Sequence, residues 1–94
     1  MSPLQEMAAR IVMEQAVVIG PLAWSEAKKV EGLQVVDEKS GQVTISNGDP
    51  KVVIDRLVAQ YERLFGRASQ EVCREAVASM VAKMQPADVP SSLR

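Results

Sequence analysis

The stretch VVIGPLAW, residues 17–24, sets a Gly-Pro step between two apolar runs, and its reading decides how the N-terminal third of the chain folds. Upstream, Leu4, Met7, Ala8, Ile11, Val12, Val18 and Ile19 recur at the three- and four-residue steps of one helical face. Downstream, Leu22, Ala23, Ala27 and Val30 make a second stripe, rotated from the first by roughly 70° at ~100° per residue. Pro21 has no N–H to return to the carbonyl of Val17, and its ring crowds that carbonyl. A straight helix through this point would lose about 3 kcal/mol. The spacing therefore predicts two helical segments, 4–19 and 21–30, sharing one bent course. Ser2 is placed to cap the first, with Pro3 at its first position and Glu6 in its first turn. Trp24 falls on the flank opposite Leu22 and Ala27, which leaves two readings open: an exposed anchor for protein contacts, or the largest core residue, turned inward by the bend.

Beyond Gly32 the pattern changes to LQVVDEKSGQVTIS, two β-branched runs around Asp37-Glu38-Lys39-Ser40-Gly41. This predicts a hairpin inserted at 33–46. Two strands alone are marginal, so the pair must lie on its own helices or add to a partner's sheet, and the first arrangement is favoured. In SNGDP, Asp49 is a natural N-cap with Pro50 at the first helical position. The following helix carries Val53, Ile54, Leu57, Val58, Tyr61, Leu64 and Phe65 and closes at Gly66. A last helix starts near Ser69, shows Val72, Cys73, Ala76, Val77, Met80, Val81 and Met84 on one side, and ends before Pro86. The remainder, QPADVPSSLR, is rich in Pro and Ser and is expected to be a loose tail. The predicted organisation is one helical domain over 1–85 and a tail over 86–94.

Ninety-four residues suit a single domain, and 47% apolar against 24% charged residues is enough to offset chain entropy. With aromatics at only 3%, the core must come from aliphatic residues and Met, which suits close helix packing. A net charge of −1 gives no footprint for a phosphate backbone, so nucleic acid is disfavoured as a partner. No apolar run approaches the roughly 20 residues of a bilayer span, and MSPLQEMAAR lacks the pattern of a secretory leader. These features lead to the expectation of a cytoplasmic protein with no membrane span.

The chain has no histidine and a single cysteine, Cys73, which argues against a zinc site, a catalytic triad or an internal disulfide in their usual forms. Cys73 sits on an apolar helical face, a setting that raises a thiol pKa and favours packing over nucleophilic chemistry. Glu71 and Glu75 are one turn apart and could join Glu62 or Asp55 in acid–base work, yet such spacing usually makes a solvated face. Lys28, Lys29, Arg56, Arg63, Arg67 and Arg74 alternate with acidic residues, which predicts a balanced surface rather than an anion-binding patch. NGDP reads as turn chemistry alone. No catalytic, cofactor-binding or metal-binding residue is expected.

At Ile19-Gly20-Pro21-Leu22-Ala23, followed downstream by LVAQYERLFGRASQEVCREAV, the chain resembles small helical domains of uncharacterised function found in bacterial, including cyanobacterial, signalling proteins. The resemblance implies an interaction or regulatory module without catalysis. The hairpin over 33–46 is a departure from that pattern.

The resulting expectation is a mostly α (α+β) fold: a small irregular bundle of about four helical segments with one short β-hairpin. Its core should contain Ile11, Val18, Leu22, Leu57, Val58, Tyr61, Phe65, Val77 and Met80. The leading functional reading is a non-enzymatic protein-interaction or regulatory module, paired as a two-fold homodimer through the last helix. Trp24, Cys73, Val77, Met80, Val81 and Met84 are its candidate contact residues. The alternative is a carrier or sensor of a small apolar ligand held among Met80, Met84, Phe65 and Val58.

Overall fold

The computed structural model describes residues 3–46 and 48–94. The predicted capping role of Ser2, and Asn47 in the SNGDP turn, lie outside the described residues. Helix α1 (Pro3–Ile19) is followed by α2 (Leu22–Ala27), an antiparallel hairpin of β1 (Leu33–Asp37) and β2 (Gln42–Ile45), then α3 (Pro50–Phe65) and α4 (Arg67–Val81). Two 3-10 turns, Pro86–Asp88 and Ser91–Leu93, complete the described chain. The fold is a small mostly α, α+β structure.

The Gly-Pro step is a break, not a bend. Gly20 N–H donates to the carbonyl of Ala16 at 2.9 Å, which closes α1, and Gly20 itself stands at φ +74°, a left-handed conformation that favours glycine. Pro21, at φ −57°, then starts a new turn in which its carbonyl accepts from Trp24 N at 3.0 Å. The two segments exist as the spacing requires, but the single bent course does not. Segment 21–30 is helical only to Ala27, because the chain tightens into i→i+3 bonds from Glu26 to Lys29 and from Ala27 to Val30. The break turns Trp24 inward, to 8% exposure.

The hairpin lies against its own bundle. Leu33 and Val43 are buried, β2 packs on α1, and the side-chain carbonyl of Gln5 accepts from the backbone N–H of Ile45 at 3.3 Å. Pairing runs Leu33 to Ile45, Gln34 to Thr44 and Val35 to Val43, then shifts so that Asp37 meets Gln42. Val36 is the extra residue of this bulge, and it is exposed.

Asp49 caps α3 through an oxygen that accepts from Lys51 N at 2.9 Å. At the far end Gly66 makes the whole turn by itself, its N–H donating to Glu62 O at 2.8 Å, so α4 begins at Arg67, earlier than the expected start near Ser69. α4 runs antiparallel to α1, and the pairing is fixed by Gln15. This fully buried amide donates from Nε2 to the carbonyl of Ser69 at 2.9 Å and to Cys73 Sγ at 3.3 Å.

Ile11, Leu57, Val58, Tyr61 and Val77 are buried as the periodicity requires, while Phe65 and Met80 are half-buried against the same core. Val18 and Leu22 are corrections: they are 63% and 46% exposed. Gln15 is already level with the first turn of α4. Val18, three residues and about 4.5 Å further along α1, projects past the joint where α3 and α4 meet. Its face is right, but there is nothing left to pack against.

The expected loose tail is also corrected. Val89, Pro90 and Leu93 are buried, the second 3-10 turn packs on α3 and α4, and Lys51 Nζ donates to Ala87 O at 3.0 Å.

Candidate functional site

The proposed contact stripe of α4 is divided by the core. Cys73 and Val77 are fully buried, and Met80, Val81 and Met84 are half-buried against the cluster that includes Met7, Ile11 and Leu57. Trp24 is in the core as well, so none of Trp24, Cys73 and Val77 is available to a partner. The antiparallel packing of α1 on α4 covers the face that the spacing alone leaves uncovered.

Cys73 is set for packing. Burial pushes its thiol up to about 11, and the donation from Gln15 offsets this only in part, so the sulfur carries its proton near neutral pH. The buried phenol of Tyr61 donates to the carbonyl of Ala23 at 2.7 Å, and burial holds it well above the ordinary value. Two of the four carboxylates considered for acid–base work are engaged separately. Asp55 accepts from Ser91 and Ser92 of the tail, and Glu71 meets Arg74 at 3.5 Å on the surface. Among the described residues no group of three His, Cys, Asp or Glu side chains is placed to hold a metal ion. No helix among them is long and apolar enough to cross a membrane.

Exposed apolar side chains gather elsewhere. The last turn of α1 shows Val17, 80% exposed, and Val18; α2 opens with Leu22; α3 closes with Leu64, 47% exposed. Two bonds bring these segments to one end of the bundle. Gln15 ties the last turns of α1 to the start of α4, and Tyr61 ties the last turns of α3 to the start of α2. The result is an apolar end built from three helices, next to the half-buried Ile19 and Phe65. Sequence spacing places Val18, Leu22 and Leu64 on core faces, and their exposure follows only from where the neighbouring helices stop. Val17 was the one legible signal, since it stands off the α1 stripe.

At the opposite end, the start of α1, the cap of α3 and the end of α4 enclose an open cleft of about 480 Å3. Leu4, Pro50 and Met84 line it together with Asp49, Lys51, Lys83 and Asp88. The four residues expected to hold an apolar ligand do not meet there: Met84 is on the cleft wall and Val58 is inside the core.

Comparison with protein-family models, with curated proteins and with solved structures gives no match.

Proposed function

We propose that the protein is a non-enzymatic protein-interaction module, and that the apolar end formed by Val17, Val18, Leu22 and Leu64 is the surface through which it meets another chain. The observation that carries this reading is that four of the seven exposed large apolar side chains among the described residues, Val17, Val18, Leu22 and Leu64, stand on helix ends that meet at one end of the bundle, and exposed apolar surface of this kind marks interaction sites. The neutral, buried Cys73 and the separately engaged carboxylates support a role without catalysis. The resemblance over residues 19–23 points the same way, toward regulation or assembly in bacteria and a cytoplasmic setting. An apolar patch is complementary to itself, so two-fold pairing of this end is the first form of the contact. Sedimentation equilibrium over a wide concentration range tests it: a mass rising above 10.2 kDa supports self-pairing, and a constant monomer mass overturns it.

A further inference from the structure

Between α2 and α3 the structure gathers cations that are scattered in the sequence. Lys29, just after α2, and Arg56, Gln60 and Arg63 of α3 line a groove of about 300 Å3. The side chains beneath it are linked. The Glu26 carboxylate, on a residue only 5% exposed, accepts from Lys29 Nζ at 3.0 Å and from Gln60 Nε2 at 2.7 Å. Gln60 Oε1 in turn accepts from Arg63 Nη2 at 3.1 Å. Lys29, Gln60 and Arg63 are thus ordered by the protein itself, which lowers the entropy lost when a ligand binds. Arg56 makes no hydrogen bond or ion pair among the described residues.

The charges stay close to the balance expected from their spacing, with a small local excess. Lys29, Arg56 and Arg63 line the groove with Glu31, and Glu26 is paired to Lys29 beside it: three positive charges against two negative, an excess of one. The groove also has an apolar margin. α2 and α3 run antiparallel, since Glu26 meets Gln60 and Ala23 meets Tyr61. Leu22 lies one turn before Glu26 and Leu64 one turn after Gln60, so both stand beyond the groove's lining on the side of the exposed apolar end.

We infer that this groove takes a carboxylate from an acidic, amphipathic segment of a partner protein, with the segment's apolar side chains covering Leu22 and Leu64 while an Asp or Glu seats beside Arg56. The inference rests on the apolar end being a contact surface, and it adds the chemistry of what binds there: the partner segment covers Leu22 and Leu64 in place of a second copy of this chain. A single excess charge matches one carboxylate. A nucleic-acid backbone would bring several phosphates to a site that already holds two carboxylates of its own, and its apolar margin would stay uncovered. Charge complementarity at a partly solvated rim sets the orientation and choice of the partner.

Fluorescence anisotropy with two labelled synthetic helical peptides tests this. The peptides share their leucines and carry either Glu or Lys at the polar positions. The Glu peptide is expected to bind more tightly than the Lys peptide, and to weaken as salt is raised. Arg56→Glu, at an exposed position outside the core, is expected to weaken the Glu peptide by roughly tenfold or more and to leave the melting curve in place. Equal binding of both peptides, indifference to Arg56→Glu, or no binding of the Glu peptide up to about 1 mM would each overturn the groove assignment. If both peptides bind equally and both are lost with Val18→Glu, the apolar end remains a contact surface and only the groove is removed.

Discussion

Asp55 on α3 holds Ser92, the middle residue of the last 3-10 turn, by both its backbone and its side chain: the Ser92 hydroxyl donates to Oδ1 at 2.6 Å and its N–H donates to the same oxygen at 3.0 Å. Ser91 Oγ adds a third bond at 3.0 Å to the other oxygen. Partial burial pushes the Asp55 carboxyl up, but the hydrogen bonds from Ser92 and Ser91 outweigh it and hold the group below the ordinary carboxylate range. A depressed folded-state pKa contributes stability that is present above the unfolded value, about 4, and lost as pH falls through the folded value. Asp55→Ala should therefore cost about 1–2 kcal/mol at neutral pH, allowing for partial solvation. Thermal melts of the two proteins should differ at neutral pH and converge as acid protonates Asp55 in the folded state; a difference that stays constant into acid would rule out the charged form as the tie.

Tyr61→Phe should destabilise the fold by about 1 kcal/mol, because it leaves the buried carbonyl of Ala23 without its side-chain donor while keeping the ring in place. Urea unfolding followed by fluorescence reads this directly. Trp24 is the only tryptophan and is buried beside the same segment, so its emission should shift to the red on unfolding. A midpoint unchanged by the substitution would show that the bond contributes nothing.

Cys73 should resist thiol reagents while the protein is folded. Its sulfur is fully buried and its thiol is pushed up to about 11, so both access and thiolate are lacking near neutral pH. Reaction with an aromatic disulfide reagent is expected to be slow in buffer and fast in denaturant. Fast labelling of the native protein would instead revive a nucleophilic role for this residue.

Gly20 and Gly41 both stand at φ +74°, but their surroundings differ. A Cβ on Gly20 meets nothing within 4 Å, so Gly20→Ala carries only the backbone strain, about 1–2 kcal/mol. A Cβ on Gly41 would lie 2.5 Å from Met13 Sδ, so Gly41→Ala must also displace that side chain. Met13→Ala in the Gly41→Ala background should recover the second part and leave the first, as chemical denaturation of the four variants would show. No recovery in the double variant would mean that the Met13 contact carries no energy.

What local chemistry controls was legible in the sequence. The Asp49-Pro50 cap, the Gly-Pro step, the Gly66 turn and the paired β-branched runs are each decided within a few residues, and periodicity set the buried faces of α3 and α4. What was not legible depends on distant parts of the chain. Val18 shares a face with Ile11, yet its exposure is decided by where Gly66 joins α3 to α4. The tail looked loose because Pro and Ser dominate it; its order depends on Asp55, far back on α3, and the only local hint was the apolar pair Val89 and Leu93 at a four-residue spacing. Part of the α4 stripe is hidden for the same reason: a stripe on α4 does not reveal that α1 lies across it and buries Cys73 and Val77. Lys29 joins Arg56 and Arg63 only through the antiparallel packing of α2 on α3.

Val18→Glu and Met80→Glu should fail in different ways, and the contrast separates surface from core. Val18 is largely exposed at the apolar end, so a glutamate there keeps its hydration and the fold should lose little stability, within about 0.5 kcal/mol. If this end pairs with a second copy, the new charges face one another across the two-fold axis and association should weaken by an order of magnitude or more. Met80 is half-buried against the core cluster between α1 and α4, so a glutamate there must either strip water from a carboxylate or push the helices apart. That variant should lose stability, by about 2 kcal/mol or more, whatever its state of association. Melting curves and sedimentation equilibrium on both variants give the answer. A Met80→Glu protein as stable as the wild type but dissociated would return the contact to α4, and a Val18→Glu protein that unfolds would place the end of α1 inside the core.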